Sequence, residues 1–400
     1  MKIVHIEDFF HPEAGYQINI LAKYQARAGH EVVIVTSEID KIPEVLTSFF
    51  GKDNIEEKDR YYEQQYHVKI IRYPLSRYFS GRSIYKPGFK KFIDNLKPDM
   101  LYVHGDGTCA AIEFILNFKR LNYGFIFDSH MLKMAAENPL SNVYEWGYRK
   151  FIAPIVIKQK LICIRTQDDP YVEKYLGIPL EQAPVISHAT DQMLFKPDEK
   201  IRQQMRQDIG VKNDDFVVIY AGKLIESKGA QLLADAFKKK ITTKNNKDVV
   251  LLVVGNTSGK FGEAVEETFN DSENRIIRVP TQKYTDLVKY YCAADLAVFP
   301  KQCSLSFYDV QACALPVVEE DNNINIDRLS HKNGYCFAGG DVNDFRDKIL
   351  LCADMDPEEW DNMKQASLEY VSEYFSYDKV YEKYDEVIKN EWIRQKTYKE

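Results

Sequence analysis

Two lysines five residues apart, Lys223 and Lys228, lie in the stretch AGKLIESKG directly after an apolar run at 216–220. Such a run reads as a buried strand, and the glycines at 222 and 229 bracket the loop that follows it. Where a strand passes through a short loop into a helix, unpaired helix N–H groups and nearby cations converge, so the pattern suits an anion such as a diphosphate. The competing account is a pair of solvated lysines flanking a turn. A second loop, at Gly15, follows the first strand and opens a helix in which Ile18, Leu21 and Ala22 keep helical spacing. His104 in YVHGDG and His130 in FIFDSH end or follow apolar runs, and each offers a polar contact there.

Other sequences imitate chemistry without completing it. GNTSGK at 255–260 has its glycines one residue too close for a phosphate-binding P-loop, and Phe261 replaces the hydroxyl residue that would hold Mg²⁺. Gly105 and Gly107 form a GxG without the third glycine of a dinucleotide site. Asp354 and Asp356 are spaced like a metal-binding DxD, yet a Pro-Glu-Glu follows, and capping of a helix accounts for them better. There is no HExxH, no zinc spacing and no GxSxG.

The elements that must position these residues are short apolar runs alternating with helical stretches, the pattern of parallel sheets built from βαβ units. Strands are expected at 3–6, 31–36, 68–73, 100–104, 125–128, 161–165 and 184–187, and again at 216–221, 249–255, 276–279, 296–300 and 316–318. The pattern breaks at SHATDQMLFKPD, 187–198, which marks a domain join. A charged, Tyr-rich helix is expected at 377–392. At 400 residues the chain allows two or three domains. A net charge of −7 does not suggest a nucleic-acid binder, which leaves only a local basic patch to matter. Seven cysteines without a CxxC pair are expected to be reduced thiols of a cytosolic protein, and no apolar run reaches bilayer length. Residues 70–92 interleave six basic with six aromatic side chains and contain no acid. That composition suits anionic headgroups or a phosphate-bearing acceptor, or else a solvated loop and helix face.

AGKLIESKG resembles the G-R-L-x-x-x-K-G signature of the retaining glycosyltransferases of family 4, with Lys223 in place of Arg. FPKQCSLSFYDVQACALPVV, 299–318, is similar to that family's glutamate, Gly-Phe-Gly turn, second glutamate and A-M-A-C-G-x-P-V-V. Asp309 falls at the second acid, Ala312, Cys313 and residues 315–318 match, and Lys301 stands where the first acid should be. The loop at Gly15 resembles the family's P-x-x-G-G, with Tyr16 at the second glycine. Residues 187–198 resemble its P-N-G-x-D-x-x-x-F linker, with His188 for Asn and Ala189 for Gly.

The resemblance covers essentially the whole chain and implies an α/β GT-B fold, two Rossmann-like domains facing a central cleft. The expected divisions are 1–190 on the acceptor side, 191–376 for the nucleotide sugar, and a terminal helix at 377–400 crossing back. It implies transfer of a glycosyl group from a nucleoside-diphosphate sugar to a glycan, lipid-linked or other hydroxyl acceptor, with retention and with neither metal nor cofactor. Lys223 and Lys228 would carry the diphosphate's charge, with His130, and less so His104, near the anomeric carbon. Gly15, Gly222 and the N–H groups of Ser304, Leu305 and Ser306 would line the phosphates, Asp309 would hold the ribose, and Val279 would lie at the base. The first domain, with 72–92, would meet the acceptor and a cytoplasmic membrane face. Tyr16 and the missing acid favour the alternative of a non-catalytic GT-B protein that binds a sugar nucleotide or a partner enzyme.

Overall fold

The computed structural model describes residues 1–399 except 44–46, 48–50, 132–140, 302, 303 and 305. The chain divides into two units, Met1–His188 together with Tyr377–Glu400, and Ala189–Ser376. Each is a six-stranded parallel sheet with helices between its strands, as expected for a Rossmann-like domain.

In the first unit the strands are β1 Lys2–Glu7, β2 Glu31–Ser37, β3 Val68–Tyr73, β6 Met100–Val103, β7 Gly124–Ser129 and β8 Cys163–Arg165, in the order β3-β2-β1-β6-β7-β8. All four residues of β6 and all six of β7 are buried, which explains their unbroken apolar runs: helices cover both faces of a parallel sheet. The chain builds outward from β1 to β3 and then crosses to β6, so the winding reverses between β1 and β6. Ligands of open α/β sheets bind beyond the carboxyl ends of the strands at such a point.

Two expectations need correction here. Residues 184–187 form no strand: they make one bridge, between Arg165 and Val185, because Pro184 has no N–H to continue a ladder. Residues 70–92 are not simply a loop and a helix face, since β4 Leu75–Phe79 and β5 Arg82–Tyr85 pair as an antiparallel hairpin.

In the second unit β9 Phe216–Ala221, β10 Val249–Val254, β11 Arg275–Val279, β12 Leu296–Phe299, β13 Val317–Glu320 and β14 Gly334–Phe337 take the order β11-β10-β9-β12-β13-β14. Its winding reverses between β9 and β12. Asp356 caps the helix Pro357–Tyr374 by accepting from the Glu358 N–H, and Asp354 accepts from the Lys244 N–H at 2.8 Å, so both acids serve the backbone.

The terminal helix Tyr377–Lys399 packs on β7 and on the helix Gln17–Arg27. β8 is too short to pair with the start of β7. The Gln395 side chain takes its place, accepting from Phe125 N–H at 2.8 Å and donating to Phe125 C=O at 2.9 Å, while Glu391 holds its amide. Gln395→Leu should leave both backbone groups buried without partners and cost about 2–4 kcal/mol. Urea denaturation checks this, and a loss below about 0.5 kcal/mol would mean that water replaces the side chain.

Candidate functional site

At the winding reversal of the first unit, β1 ends in Glu7 and Asp8, β6 leads into His104, Gly105 and Asp106, and β7 leads into Asp128 and His130. Buried hydrogen bonds join several of them into a relay. Gln25 Oε1 meets His5 Nε2 at 2.7 Å, His5 Nδ1 meets His104 Nε2 at 3.0 Å, and His104 Nδ1 meets Asp128 Oδ2 at 2.8 Å. Asp128 Oδ1 accepts from the Gly105 N–H at 2.7 Å and pairs with His130 Nε2 at 3.1 Å. Burial alone would raise the Asp128 carboxyl, but the two imidazoles hold it well below the usual carboxylate range. For His130, burial works downward, and Asp128, Glu7 and Asp106 outweigh it, pushing its pKa up to about 9. His130 is therefore an imidazolium at neutral pH, with 37% of its side chain exposed and its ring 5.6 Å from that of His188. It can donate a hydrogen bond and stabilise negative charge; it cannot act as a base.

His104 has both ring nitrogens committed inside the relay, so it positions Asp128. Among the described residues, His104, Asp128 and His130 are the one group with metal-ligand spacing. Their atoms are already bonded to one another and to Gly105, which makes the group a relay of hydrogen bonds and not an open ligand set.

Around this relay the acids are unusually basic. Burial lifts Glu7 to about 7, and lifts Asp8 and Asp106 to about 6 against the pull of Arg82. The β4–β5 hairpin is tied across the reversal: Ser83 N–H donates to Asp8 Oδ2 at 3.0 Å, and Arg82 Nε donates to Gly107 C=O at 2.8 Å. A Cβ on Gly107 would stand 2.9 Å from the Tyr144 hydroxyl and 3.1 Å from the Arg82 guanidinium, so both side chains lie over that glycine. The basic residues of 72–92 are thus only partly available: Arg72 pairs with Asp59 and Lys90 with Asp94, leaving Arg77, Lys86 and Lys91 exposed. Gly15 lies half-buried in the loop before the helix Gln17–Arg27, whose N-terminus has no side-chain cap.

In the second unit the carboxyl ends of β9 and β12 bring Gly222, Lys223 and Lys228 to the same reversal as Pro300 and Lys301. Gly229, at φ +72°, starts the helix Ala230–Lys238, which also lacks a side-chain cap. A Cβ on Gly229 would meet the Lys301 Cβ at 2.9 Å, so the glycine seats Lys301 against the helix start. Lys223 and Lys301 are exposed and Lys228 is half-buried. Helix N–H groups without a side-chain cap beside three lysines are the donors and charges that an anion would take.

The loop backbones beyond β9 and β10 touch: a Cβ on Gly255 would fall 2.0 Å from the Gly222 carbonyl oxygen. Two expected contacts change as a result. The Gly222 N–H is given to Val254 C=O at 3.0 Å, and Val279 C=O accepts the Gly255 N–H at 2.9 Å, so both groups knit strand ends together. The Ser306 N–H, expected to meet a phosphate, is turned toward Ser304 Oγ at 3.3 Å, because a Ser two residues ahead of a helix start satisfies it locally. Leu305 lies outside the described residues. Asp309 is buried, and its Oδ1 accepts from Thr190 Oγ1 at 2.7 Å and from the Tyr284 hydroxyl at 3.1 Å. Burial, partly offset by these two bonds, pushes its pKa up to about 7.

Residues 215–354 match the family described as glycosyl transferases group 1. The match lies wholly within the second unit, so this part of the chain is similar to the glycosyl transferases of group 1. D-inositol 3-phosphate glycosyltransferase of Segniliparus rotundus is 28% identical over 156 residues, 37% of this chain and 34% of that protein. The chain thus spans about a third of that relative's length. UDP-Gal:alpha-D-GlcNAc-diphosphoundecaprenol alpha-1,3-galactosyltransferase of Escherichia coli is 24% identical over 66% of the chain and 68% of its own length. Anabaena Alr3699/HepE, solved with UDP and glucose, shares the fold: TM-score 0.72 and 17% identity over 98% of this chain and 100% of that one. The fold is GT-B, and the group 1 segment contains every lysine of the anion site.

Sequence reasoning missed Glu7, Asp106, Asp128, Thr190 and Tyr284 as parts of these groups, and it placed Arg82 only within the basic stretch 72–92. The three acids each follow an apolar run, as the histidines do, and that signal would have found them.

Two pH experiments follow. Asp128→Asn should bring the His130 pKa down from about 9 toward or below 6.5, read by NMR titration of the imidazole; an unchanged value would assign the shift to Glu7 and Asp106. Folded Asp309 keeps its proton up to about 7, whereas an unfolded aspartate gives it up near 3.8. Between those values the native state binds the extra proton, so stability falls as pH rises through the window. Asp309→Asn should flatten that part of the stability profile, and a profile parallel to wild type would show the acid to be uninvolved.

Proposed function

We propose that the chain is a retaining glycosyltransferase using a nucleoside-diphosphate sugar. The observation that carries this reading is the anion site of the group 1 segment: Lys223, Lys228 and Lys301 beside the uncapped start of the helix Ala230–Lys238. In the reaction the bond from the anomeric carbon to the diphosphate oxygen breaks, and the acceptor oxygen bonds to the same face of that carbon. The acceptor's proton passes to the departing phosphate oxygen. Negative charge grows on the leaving group, and fixed cations and helix N–H groups that need no reorganisation stabilise it. No pair of catalytic carboxylates and no divalent ion is required for that step.

Asp309 has both its bonds on Oδ1, so Oδ2 is the acceptor offered to a ribose hydroxyl. In the first unit, His130 supplies a cationic donor and the Asp8, Asp106 and Arg82 group supplies partners for a hydroxylated acceptor, with Arg77, Lys86 and Lys91 toward any charged part of it. The names of the similar proteins recommend UDP sugars as the first donors to try.

Lys228→Ala should lose a charge-assisted contact that tightens in the transition state, lowering kcat about 100-fold. Steady-state transfer assays with UDP-galactose and UDP-glucose, following release of UDP, measure it. A kcat/KM close to wild type would remove Lys228 from the clamp. Turnover is expected to persist in excess EDTA; if chelation abolishes it and Mg²⁺ or Mn²⁺ restores it, the metal-free mechanism is wrong. Binding of UDP without any turnover across a panel of sugar acceptors would favour the non-catalytic alternative.

A further inference from the structure

Residues 141–159 of the first unit run as one continuous helical rod: the helix Ser141–Gly147, a π-helical turn Tyr148–Ile152 and the helix Ala153–Gln159. One side packs inward through Glu145, Tyr148, Ile152, Ala153 and Val156. The other side does something unusual for a helix on a charged protein. Val143, Trp146, Phe151 and Ile157 stand 64%, 59%, 57% and 43% exposed. Val143, Trp146 and Lys150 follow three- and four-residue steps, Ile157 stands seven residues on, and Phe151 follows Lys150 in the π-helical turn. The Lys150 ammonium stands 5.0 Å from the Trp146 ring centre and 5.6 Å from that of Phe151.

The charge on this side has one sign. Arg149, Lys150, Lys158 and Lys160 are exposed, while Glu145, the sole acid from 141 to 160, is buried. The whole chain carries a net charge of −7, so this rod is a local exception and not a reflection of composition. Side chains that protrude singly from a convex rod, ringed by ammonium groups, do not form a groove for a partner's helix or strand. They match the interface of a bilayer, where Trp and Phe bury among acyl chains and lysines extend to the headgroups.

We propose that the exposed side of residues 141–159 docks on an anionic lipid bilayer, inserting Trp146 and Phe151 with Lys150, Lys158 and Arg149 on the lipid phosphates. Charge complementarity selects this occupant over a second copy of the chain, because two such faces would bring their cations together. The hairpin of β4 and β5 lies next to the rod, since Arg82 and Tyr144 both stand over Gly107. Phe79 at its end is exposed with the Arg77 guanidinium 5.5 Å above the ring, a smaller repetition of the same chemistry. The inference concerns attachment and does not depend on the reaction.

Vesicle flotation of the full chain tests it, with neutral phosphatidylcholine against vesicles containing about 30 mol% phosphatidylglycerol. Wild type should float with the anionic vesicles, far less with neutral ones, and less again at high salt. The variant Trp146→Ser/Phe151→Ser should bind at least tenfold more weakly, since two aromatic side chains no longer leave water. Lys150→Glu retains the apolar side chains and should still weaken binding several-fold, because each basic residue near the surface contributes about fivefold. All three positions are exposed, and unchanged circular dichroism confirms that the variants are folded. Failure of wild type to float, or equal flotation by the double variant, overturns the proposal. A concentration-dependent dimer that the double variant abolishes also overturns it and assigns the face to a second copy.

Discussion

A parallel strand covered by helices on both faces can place a polar side chain economically only where it ends, and this constraint shapes everything chemical in the protein. At or beyond the ends of β1, β6 and β7 the chain sets Asp8, Asp106, Asp128 and His130; beyond β9 and β12 it sets Lys223, Lys228 and Lys301. His5 lies inside the sheet, and the relay shows why it is tolerated there. It is fully buried, and burial and His104 lower its pKa to about 3, so it stays neutral with Gln25 and His104 on its two nitrogens.

The two units solve opposite electrostatic problems with the same topology. In the second, cations gather around an uncapped helix start, which suits a polyanion whose charge rises during reaction. In the first, several acids crowd one reversal, and burial lifts their pKa values to about 6 or 7 even though His130 pulls on Glu7, Arg82 on Asp8 and both on Asp106. Such half-neutral carboxyls can accept or donate to sugar hydroxyls near neutral pH. A strongly anionic group would meet repulsion from these carboxylates once they ionise, whereas Arg77, Lys86 and Lys91 stand exposed on or beside the hairpin.

Much of this was legible in the sequence, for reasons that differ by element. The largely buried strands β1, β2, β9 and β10 announce themselves as Val- and Ile-rich runs, and AGKLIESKG stands out because its lysines follow such a run. The β4–β5 hairpin did not, since its nine residues are mostly polar or charged and its turn, Ser80–Gly81, lies within a basic stretch that reads as surface. β14 is four residues long, begins with glycine and pairs with β13 alone. The Gly222 N–H is taken by Val254 C=O and the Ser306 N–H by the Ser304 side-chain oxygen, partners that spacing does not reveal. Partners distant in sequence, such as Thr190 and Tyr284 on Asp309, leave no local trace.

The end of the chain bears on the relay more directly than its position suggests. Gln395 completes the edge of β7 at Phe125, three residues before Asp128 on the same strand. The Tyr384 hydroxyl, fully buried, bonds to Gln17 and to Ile186 C=O, tying the helix that follows Gly15 to the segment that ends in His188. His188 in turn lies beside His130. The helix Tyr377–Lys399 therefore fixes the strand that carries Asp128, the helix behind Gly15 and the neighbour of His130 together. A hydrogen-bond relay keeps its pKa shifts only while its distances hold, so the protonation state of His130 is a property of residues 377–399 as much as of the strand ends themselves.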